Sequence, residues 1–155
     1  MDEVKAYMSD PSVTIDAESS VLETVKLMRE HIVGAILVKE KDVMTGIFTE
    51  TDLLRKVAAD AKPMDGIKVS SVMSKPLISI DAEAKMLKAF FEMQQRNIRH
   101  LTVTEGGIVV GILSIKDIAN FYIGKFGQTA GKVSKEDSSK NDEADIEVNK
   151  EGKQE

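Results

Sequence analysis

The sequence predicts a mixed α/β fold built from two copies of one structural unit. The main observation is an internal repeat, because the segment at 43–54 returns at 108–118 with Gly46 and Gly111 separated by 65 residues. The second observation is the pattern inside each copy, where an apolar helical stripe is followed by two apolar runs of strand length. One copy has too few apolar faces to close a core alone, so we expect the two copies to pack face to face.

Composition narrows the functional classes before any motif is considered. The 155 residues include no cysteine, which excludes a disulfide framework, a thiolate nucleophile and a cysteine-ligated metal. The net charge of −5 argues against nucleic-acid binding, since such proteins usually present a basic face. No apolar run reaches the roughly 20 residues that span a membrane, and the residues after Met1 lack the order of a secretion signal. We therefore expect a soluble, cytoplasmic protein with neither a nucleic acid nor a membrane as partner.

The first copy is predicted to start with a short helical turn that Pro11 closes, followed by an extended piece at 12–15. Asp16 is predicted to cap the next helix, which should end near residues 31–32. Apolar runs at 35–38 and 43–48 are predicted strands, and Thr49 is predicted to start a second helix. The inner faces of these helices are predicted from apolar residues at helical spacing: Val21, Leu22, Val25 and Met28, then Leu53, Leu54 and Val57.

The second copy repeats this order of elements without a gap. Strands are predicted at 101–104 and 108–113, and a last helix is predicted to start at Ser114. We divide the chain into a first repeat at 4–62, a linker with the second repeat at 63–127, and a tail at 128–155. The tail is rich in charged and small polar residues and is predicted to be disordered. A role as an acidic tether for a partner is the alternative for this segment.

Both copies carry a hydroxyl residue followed three places later by a carboxylate, at Thr49 with Asp52 and at Ser114 with Asp117. One explanation is purely structural, because this spacing resembles the capping box that starts a helix. The other is ligand binding at the same place. A strand that leads into a helix presents amide donors suited to a phosphate, the aspartate offers acceptors for two vicinal hydroxyls, and the preceding glycine allows close backbone approach. A ribose with a phosphate would satisfy all of these groups.

These motifs resemble those of CBS domains, the paired modules named after cystathionine β-synthase. The resemblance rests on the segments at 46–53 and 111–118, on 97–101 (Asn-Ile-Arg-His-Leu), and on Met-Ser-x-Pro at Met8 and Met73. It covers roughly residues 4–127. It implies β-α-β-β-α repeats that pack sheet to sheet with pseudo-twofold symmetry and enclose two clefts.

The resemblance also implies that each cleft draws on both repeats and binds an adenosine-containing ligand: AMP, ADP, ATP or S-adenosylmethionine. Asp52 and Asp117 are the expected ribose ligands, and isoleucines would sandwich the adenine. The residues expected in one cleft are Thr14, Ile15, Val33, Gly34 and Ala35 with Ile112, Ser114, Lys116 and Asp117. Those expected in the other are Ser79, Ile80, Ile98, Arg99 and His100 with Ile47, Thr49, Thr51 and Asp52.

The two expected clefts differ in charge. Arg99 and His100 stand where the first repeat has Gly34 and Ala35, and the resemblance assigns basic residues at this place to phosphate binding. Because this pair is expected near the pseudo-twofold axis, it could serve either cleft, or His100 could be an ordinary solvated histidine. We therefore expect two clefts of unequal affinity. Thr102 replaces a proline that is common in the family, without an expected consequence.

The leading hypothesis is a non-catalytic sensor that binds an adenine nucleotide without an obligatory cofactor and transmits binding to an unidentified regulated protein. Homodimerisation through the helices Val21–Met28 and Met86–Met93 is expected from the resemblance. An S-adenosylmethionine-binding module and a ligand-free interaction module are the alternatives. An enzyme is disfavoured because the sequence offers no nucleophile–base pair, no metal cluster and no Walker-type loop.

Overall fold

Each repeat folds into a three-stranded sheet with the same topology. In the first sheet, β1 (Thr14–Asp16) lies parallel to β2 (Ala35–Glu40), which pairs antiparallel with β3 (Val43–Thr49). The second sheet has the same order in β4 (Ser79–Asp81), β5 (His100–Glu105) and β6 (Ile108–Ser114). These are the strands of the computed structural model, which describes residues 2–11 and 13–127. The mixed fold class predicted from the sequence is confirmed.

Residues 65 positions apart in the sequence occupy equivalent positions in the strand register of the two sheets. Val38 pairs with Gly46 in the first sheet, and Val103 pairs with Gly111 in the second. A one-residue irregularity follows immediately after both pairs. Because a slip of one residue would turn every side chain to the opposite face, this shared register shows that the two repeats bury equivalent side chains.

Helix α1 (Val21–His31) ends where the sequence predicted, but Asp16 is not its cap. Ser20 is the N-cap, and its hydroxyl accepts a hydrogen bond from the Glu23 backbone N–H at 3.1 Å while the Glu23 carboxylate accepts from the Ser20 N–H at 3.0 Å. This reciprocal pair is a capping box. Asp16 instead accepts from the Glu18 N–H at 2.8 Å, because it lies too far ahead of the first helical turn to reach it.

The helix after β3 changes its winding. Helix α2 (Glu50–Asp52) continues directly as a π-helix, Leu53–Ala58, in which the Ala59 N–H donates to the Leu54 carbonyl five residues earlier. The wider turn rotates successive side chains away from α-helical spacing. Val57 is therefore buried as predicted, whereas Leu54 is 64% exposed, and its predicted place on the inner face is wrong.

The other helices keep α-helical winding. Helix α3 (Met86–Arg96) buries Met86 and Met93 but leaves Leu87 exposed, and residues 115–127 form helix α4. Two 3-10 turns lie at Val4–Ala6 and Val69–Ser71. No helix among the described residues is long and apolar enough to cross a membrane.

Short segments exchange between the repeats. The first residues of the first repeat pair with the second repeat, since the Val4 N–H donates to the Ala84 carbonyl and Ser9 exchanges backbone hydrogen bonds with Ile112. Symmetrically, the Val69 N–H donates to the Ser19 carbonyl, and Ser74 exchanges backbone hydrogen bonds with Ile47. Each repeat therefore completes its hydrogen bonding with the N-terminal segment of the other.

The core of the first repeat uses one of these exchanged segments. Phe48, Ile36 and Val38 of the sheet pack with Val21 and Met28 of α1, and Val69, Val72 and Met73 belong to the same cluster. Burial of these side chains is the main favourable term that holds the exchanged segment in place.

The described residues divide into two compact units, the first ending at Asp117 and the second beginning at Ile118. The predicted tail at 128–155 lies outside the described residues. In the second unit, the Tyr122 ring stacks on Phe126 with a centroid separation of 6.0 Å and meets Phe121 edge-on at 4.9 Å.

Candidate functional site

A cavity of about 430 Å³ opens beside the start of helix α2. This volume is within the usual range for small-molecule sites, about 300–1,000 Å³. Its walls come from β3 and α2, from the segment that precedes β4, and from the turn between α3 and β5. The lining residues are Gly34, Ile47, Thr49, Glu50, Thr51, Asp52, Leu54, Arg55, Ser74, Pro76, Ile78, Asn97, Ile98, Arg99, His100 and Thr102.

Thr49 and Asp52 form a complete capping box at the wall of this cavity. The Asp52 N–H donates to Thr49 Oγ1 at 3.2 Å, and Asp52 Oδ2 accepts from the Thr49 N–H at 3.0 Å. The Thr49 hydroxyl also lies 3.2 Å from Oδ2. The structural role proposed for this motif is therefore present, and it uses one of the two carboxylate oxygens.

The other oxygen of Asp52 is occupied as well. Asp52 Oδ1 accepts a hydrogen bond from the Ser74 hydroxyl at 2.7 Å and lies 2.9 Å from the Lys56 ammonium. Lys56 Nζ also lies 3.2 Å from Ser74 Oγ, so the three groups form a closed cluster. Asp52 is only 4% exposed, and a buried carboxylate needs such partners.

The matching motif in the second repeat has the same cap but fewer partners. Asp117 Oδ2 accepts from the Ser114 N–H at 2.7 Å and from the Ser114 hydroxyl at 2.8 Å. Its Oδ1 has no hydrogen-bond partner among the described residues, and the side chain is partly exposed. The two aspartates, equivalent in sequence, therefore differ in how far their acceptors are already used.

Positive charge converges on the cavity from both repeats. Arg55 comes from the π-helical segment, while Arg99 and His100 come from the start of β5. The sequence left open which cleft Arg99 and His100 would line, and the structure places both in the cavity with Asp52. Glu50 is the negatively charged counterpart on the same wall, and its carboxylate lies beside Gly34.

His100 is the cavity residue whose proton equilibrium is perturbed most clearly. Burial lowers the pKa of His100 below 6.5, since desolvation disfavours the charged imidazolium. The negative charges of Glu50 and Asp117 oppose this lowering, and the nearby Arg99 adds to it. A phosphate placed in the cavity would favour the protonated form of the ring.

The motif glycines have a packing role besides the one expected. A Cβ on Gly46 would overlap Met73 Sδ and lie 2.9 Å from Met73 Cγ, and one on Gly111 would lie 2.9 Å from the Ser9 carbonyl oxygen. These glycines therefore make room for the exchanged Met-Ser segments. This packing is by itself enough to require glycine at both positions.

The cavity gathers most of the residues expected around Asp52, together with one from the other set. Ile47, Thr49, Thr51, Asp52, Ile98, Arg99 and His100 all line it, and Gly34 joins them from the other predicted cleft. Ser79 and Ile80 do not line it. Ile80 is buried at 5% exposure, and Ile78, which directly precedes β4, lines the cavity instead.

The residues expected around Asp117 do not line this cavity, apart from Gly34. Ile15 and Val33 pack against the core of the first repeat, and Ala35 is buried. Thr14, Ile112, Ser114 and Asp117 are partly exposed, and Lys116 is exposed.

Sequence reasoning missed several lining residues. Arg55 and Leu54 were missed because α-helical spacing did not predict the π turn, and Ser74 was quoted only as part of the Met-Ser-x-Pro motif. Thr102 was expected to have no consequence, yet it lines the cavity. The remaining lining residues that were not predicted are Glu50, Pro76, Ile78 and Asn97.

Comparison with known proteins identifies the family. The family model for the CBS domain matches residues 4–59 and 69–124, so the chain belongs to the CBS-domain family and contains a pair of these domains. Proteins with such domains are generally regulatory rather than catalytic.

Two curated relatives show the range of similarity. The chain is 33% identical over 120 residues to the CBS domain-containing protein YhcV of Bacillus subtilis, covering 77% of this chain and 84% of that protein. It is 34% identical over 111 residues to the mitochondrial CBS domain-containing protein CBSX3 of Arabidopsis thaliana, covering 68% of this chain and 54% of that protein. The chain thus spans about half the length of the first curated relatives it matches.

A solved structure shares the fold at lower identity. The CBS-domain pair of protein MJ0100, in complex with 5′-methylthioadenosine and S-adenosyl-L-methionine, superposes with a TM-score of 0.70. The identity is 23%, and the match covers 79% of this chain and 97% of that one.

Proposed function

We propose that this protein is a non-catalytic regulatory module that binds a phosphorylated adenosine compound, AMP, ADP or ATP, in the cavity beside Asp52. The observation that carries the proposal is the convergence of Arg55, Arg99 and His100 on a cavity of suitable size. Arginine binds phosphate through charge-assisted, often bidentate hydrogen bonds.

The remaining walls suit the rest of a nucleotide. Ile47, Ile78 and Ile98 provide apolar surface for a flat purine base. Thr49 and Thr51 provide hydroxyl groups near the start of α2. The division into an apolar part and a cationic part matches the division of a nucleotide into base and phosphate.

The charge balance also favours a nucleotide over S-adenosylmethionine. S-adenosylmethionine carries a sulfonium cation, an ammonium group and one carboxylate, for a net charge of +1, so Arg55 and Arg99 should favour it less than a nucleotide with its negatively charged phosphate. Glu50 alone offers an exposed carboxylate on the wall, since the Asp52 carboxylate is already paired with Lys56.

Binding would act on a partner by shifting an equilibrium between two arrangements of the repeats. The cavity spans both repeats, and Ser74, on its wall, is also hydrogen-bonded through its backbone to Ile47. A ligand held between Arg55 and Arg99 would therefore link the two repeats.

The assembly we propose is a homodimer through the helix surface. Helix α3 exposes Leu87 and Phe91, at 54% and 55% exposure, whereas the exposed positions of α1 are charged. The most exposed apolar side chains of the predicted interface thus lie on α3, while Leu22, Val25 and Leu27 of α1 are only partly exposed. Light scattering of the protein and of a Phe91→Glu variant would test the dimer, and a monomeric wild type would contradict it.

Ligand binding is tested by calorimetric titration with AMP, ADP, ATP, S-adenosylmethionine and adenosine. We expect a nucleotide to bind and Arg99→Gln to weaken it at least tenfold, since a hydrogen bond to a charged group contributes about 1.5–3 kcal/mol. Arg96→Gln is the matched control, because Arg96 lies on α3 in an exposed ion pair with Glu92 and does not line the cavity.

The capping boxes favour one competing function, a ligand-free interaction module, because both are complete within the protein. That hypothesis predicts no heat of binding with any adenosine compound. Tight binding of S-adenosylmethionine, unaffected by Arg99→Gln, would instead point to the third alternative.

A further inference from the structure

The Asp52 carboxylate, the expected partner of a ribose diol, already has a protein partner at each oxygen. Thr49 occupies Oδ2, while Ser74 and Lys56 occupy Oδ1 at 2.7 and 2.9 Å. We propose that Ser74 and Lys56 take the acceptor positions a ribose would need and so make this cavity select its ligand by phosphate rather than by ribose. This inference rests on the proposed function and adds the residues that set its specificity.

Ser74 is held in this position by its backbone. The Ser74 N–H donates to the Ile47 carbonyl at 2.8 Å, and the Ile47 N–H donates to the Ser74 carbonyl at 3.0 Å. The serine therefore cannot withdraw without breaking the bridge between the exchanged segment and β3. A diol can reach Oδ1 only if the serine hydroxyl rotates away from the carboxylate.

Lys56 is the second group that would compete with a ribose for Asp52 Oδ1. It lies one helical turn after Asp52, and its ammonium contacts both Asp52 Oδ1 and Ser74 Oγ. Its side chain is 43% exposed, so solvent screens its attraction to the carboxylate. The partly buried serine hydrogen bond is the stronger of the two barriers, since hydrogen bonds to charged groups exceed exposed ion pairs in strength.

The second repeat supplies an internal comparison. Ser9 corresponds to Ser74, and Phe121 corresponds to Lys56 in the 65-residue register. Phenylalanine has no ammonium group, and Asp117 Oδ1 has no hydrogen-bond partner among residues 2–11 and 13–127, the Ser9 hydroxyl included. The repeated fold therefore does not require the Ser74–Asp52–Lys56 cluster.

Satisfying a buried carboxylate would by itself explain the two contacts. The location of the cluster indicates more than this role, because Asp52 and Ser74 both line the cavity. A ligand hydroxyl at this wall would therefore have to compete with the Ser74 hydroxyl for the Asp52 carboxylate.

The test compares each nucleotide with its 2′,3′-dideoxy counterpart, using AMP, ADP and ATP. For the wild type, we expect the dissociation constants of a ribonucleotide and its dideoxy counterpart to agree within about threefold. In Ser74→Ala, removal of the competing hydroxyl should strengthen ribonucleotide binding about tenfold and leave the dideoxy compounds unchanged. Lys56→Met should act in the same direction with a smaller effect. Ser74→Thr, which keeps a hydroxyl, should resemble the wild type.

Ser9→Ala is the matched control, because it changes the equivalent serine without touching Asp52, and it should leave both affinities unchanged. Thermal melting of each variant checks that it folds. If Ser74→Ala does not fold, Lys56→Met is used for the test in its place.

The outcomes separate this inference from the proposed function. If the wild type binds a nucleotide in an Arg99-dependent manner but neither variant changes the ribose-to-dideoxyribose ratio, the inference is overturned and the proposed function stands. If no adenosine compound binds the wild type or either variant, both are overturned.

Discussion

The C-cap of helix α1 gives a prediction whose magnitude follows directly from the backbone. Ile32 adopts a left-handed conformation, with φ 54° and ψ 48°, and its side chain is 92% exposed. Left-handed geometry costs an L-residue about 1–2 kcal/mol, and β-branched residues are among the least tolerant of it. Asparagine tolerates the conformation well. The equivalent C-cap of α3 is Asn97, with φ 52° and ψ 45°.

Replacing Ile32 by Asn should therefore stabilise the protein. The exposed side chain has little buried apolar area to lose, so strain relief should dominate, with a gain of about 1 kcal/mol. For a domain of this size that corresponds to a rise in Tm of about 3 °C. Urea denaturation should show a higher midpoint with an unchanged m-value.

The reverse substitution is the matched test of the same reasoning. Asn97→Ile should lower the free energy of unfolding by a similar amount, because it places a β-branched residue in the same geometry. A loss of stability in Ile32→Asn would show that the isoleucine makes a contact worth more than its strain, and would refute the argument.

Three further predictions concern the glycine, the histidine and the cap. Gly46→Ala should cost about 1–3 kcal/mol by overpacking against buried Met73, and Gly111→Ala should cost more because its Cβ also meets a backbone carbonyl 2.9 Å away; equal unfolding midpoints for Gly46→Ala and wild type would contradict this. Because the pKa of folded His100 is lowered by burial, the unfolded state takes up its proton first, so the free energy of unfolding should fall as pH drops below about 6.5. His100→Gln should remove this part of the slope in urea titrations between pH 5 and 8, and an unchanged slope would assign it elsewhere. Ser20→Ala should cost about 1 kcal/mol in urea denaturation through loss of the capping box, whereas a cost near zero would show that tertiary contacts alone hold that end of α1.

The repeated part of the fold could be predicted from the sequence because it depends on local patterns that occur twice. Apolar periodicity predicted α1 and the paired strands, and the spacing from Gly46 to Gly111 gave the register. The resemblance to CBS domains, drawn from the same repeated motifs, is confirmed by the family match to residues 4–59 and 69–124.

Features that depend on distant contacts could not be predicted in the same way. The π-helical turn has no separate sequence pattern, so Leu54 was assigned to the wrong face. The exchange of segments could not be predicted either, because Val69 and Ser74 pair with the first repeat although they belong to the second in sequence.

The same limit applies to the candidate site. The sequence indicated Thr49, Asp52, Arg99 and His100, since each belongs to a short motif. The sequence could not show that the Ser74 hydroxyl donates a hydrogen bond to the Asp52 carboxylate. The two residues are 22 positions apart and come into contact only when the exchanged segment is in place.

The most direct test of the central claim is a crystal structure of the protein grown with AMP, ADP or ATP. We expect the phosphate oxygens to contact Arg55, Arg99 and His100. The base should lie between the isoleucines that line the same cavity. A nucleotide bound instead beside Asp117 and Lys116, with none beside Asp52, would contradict it.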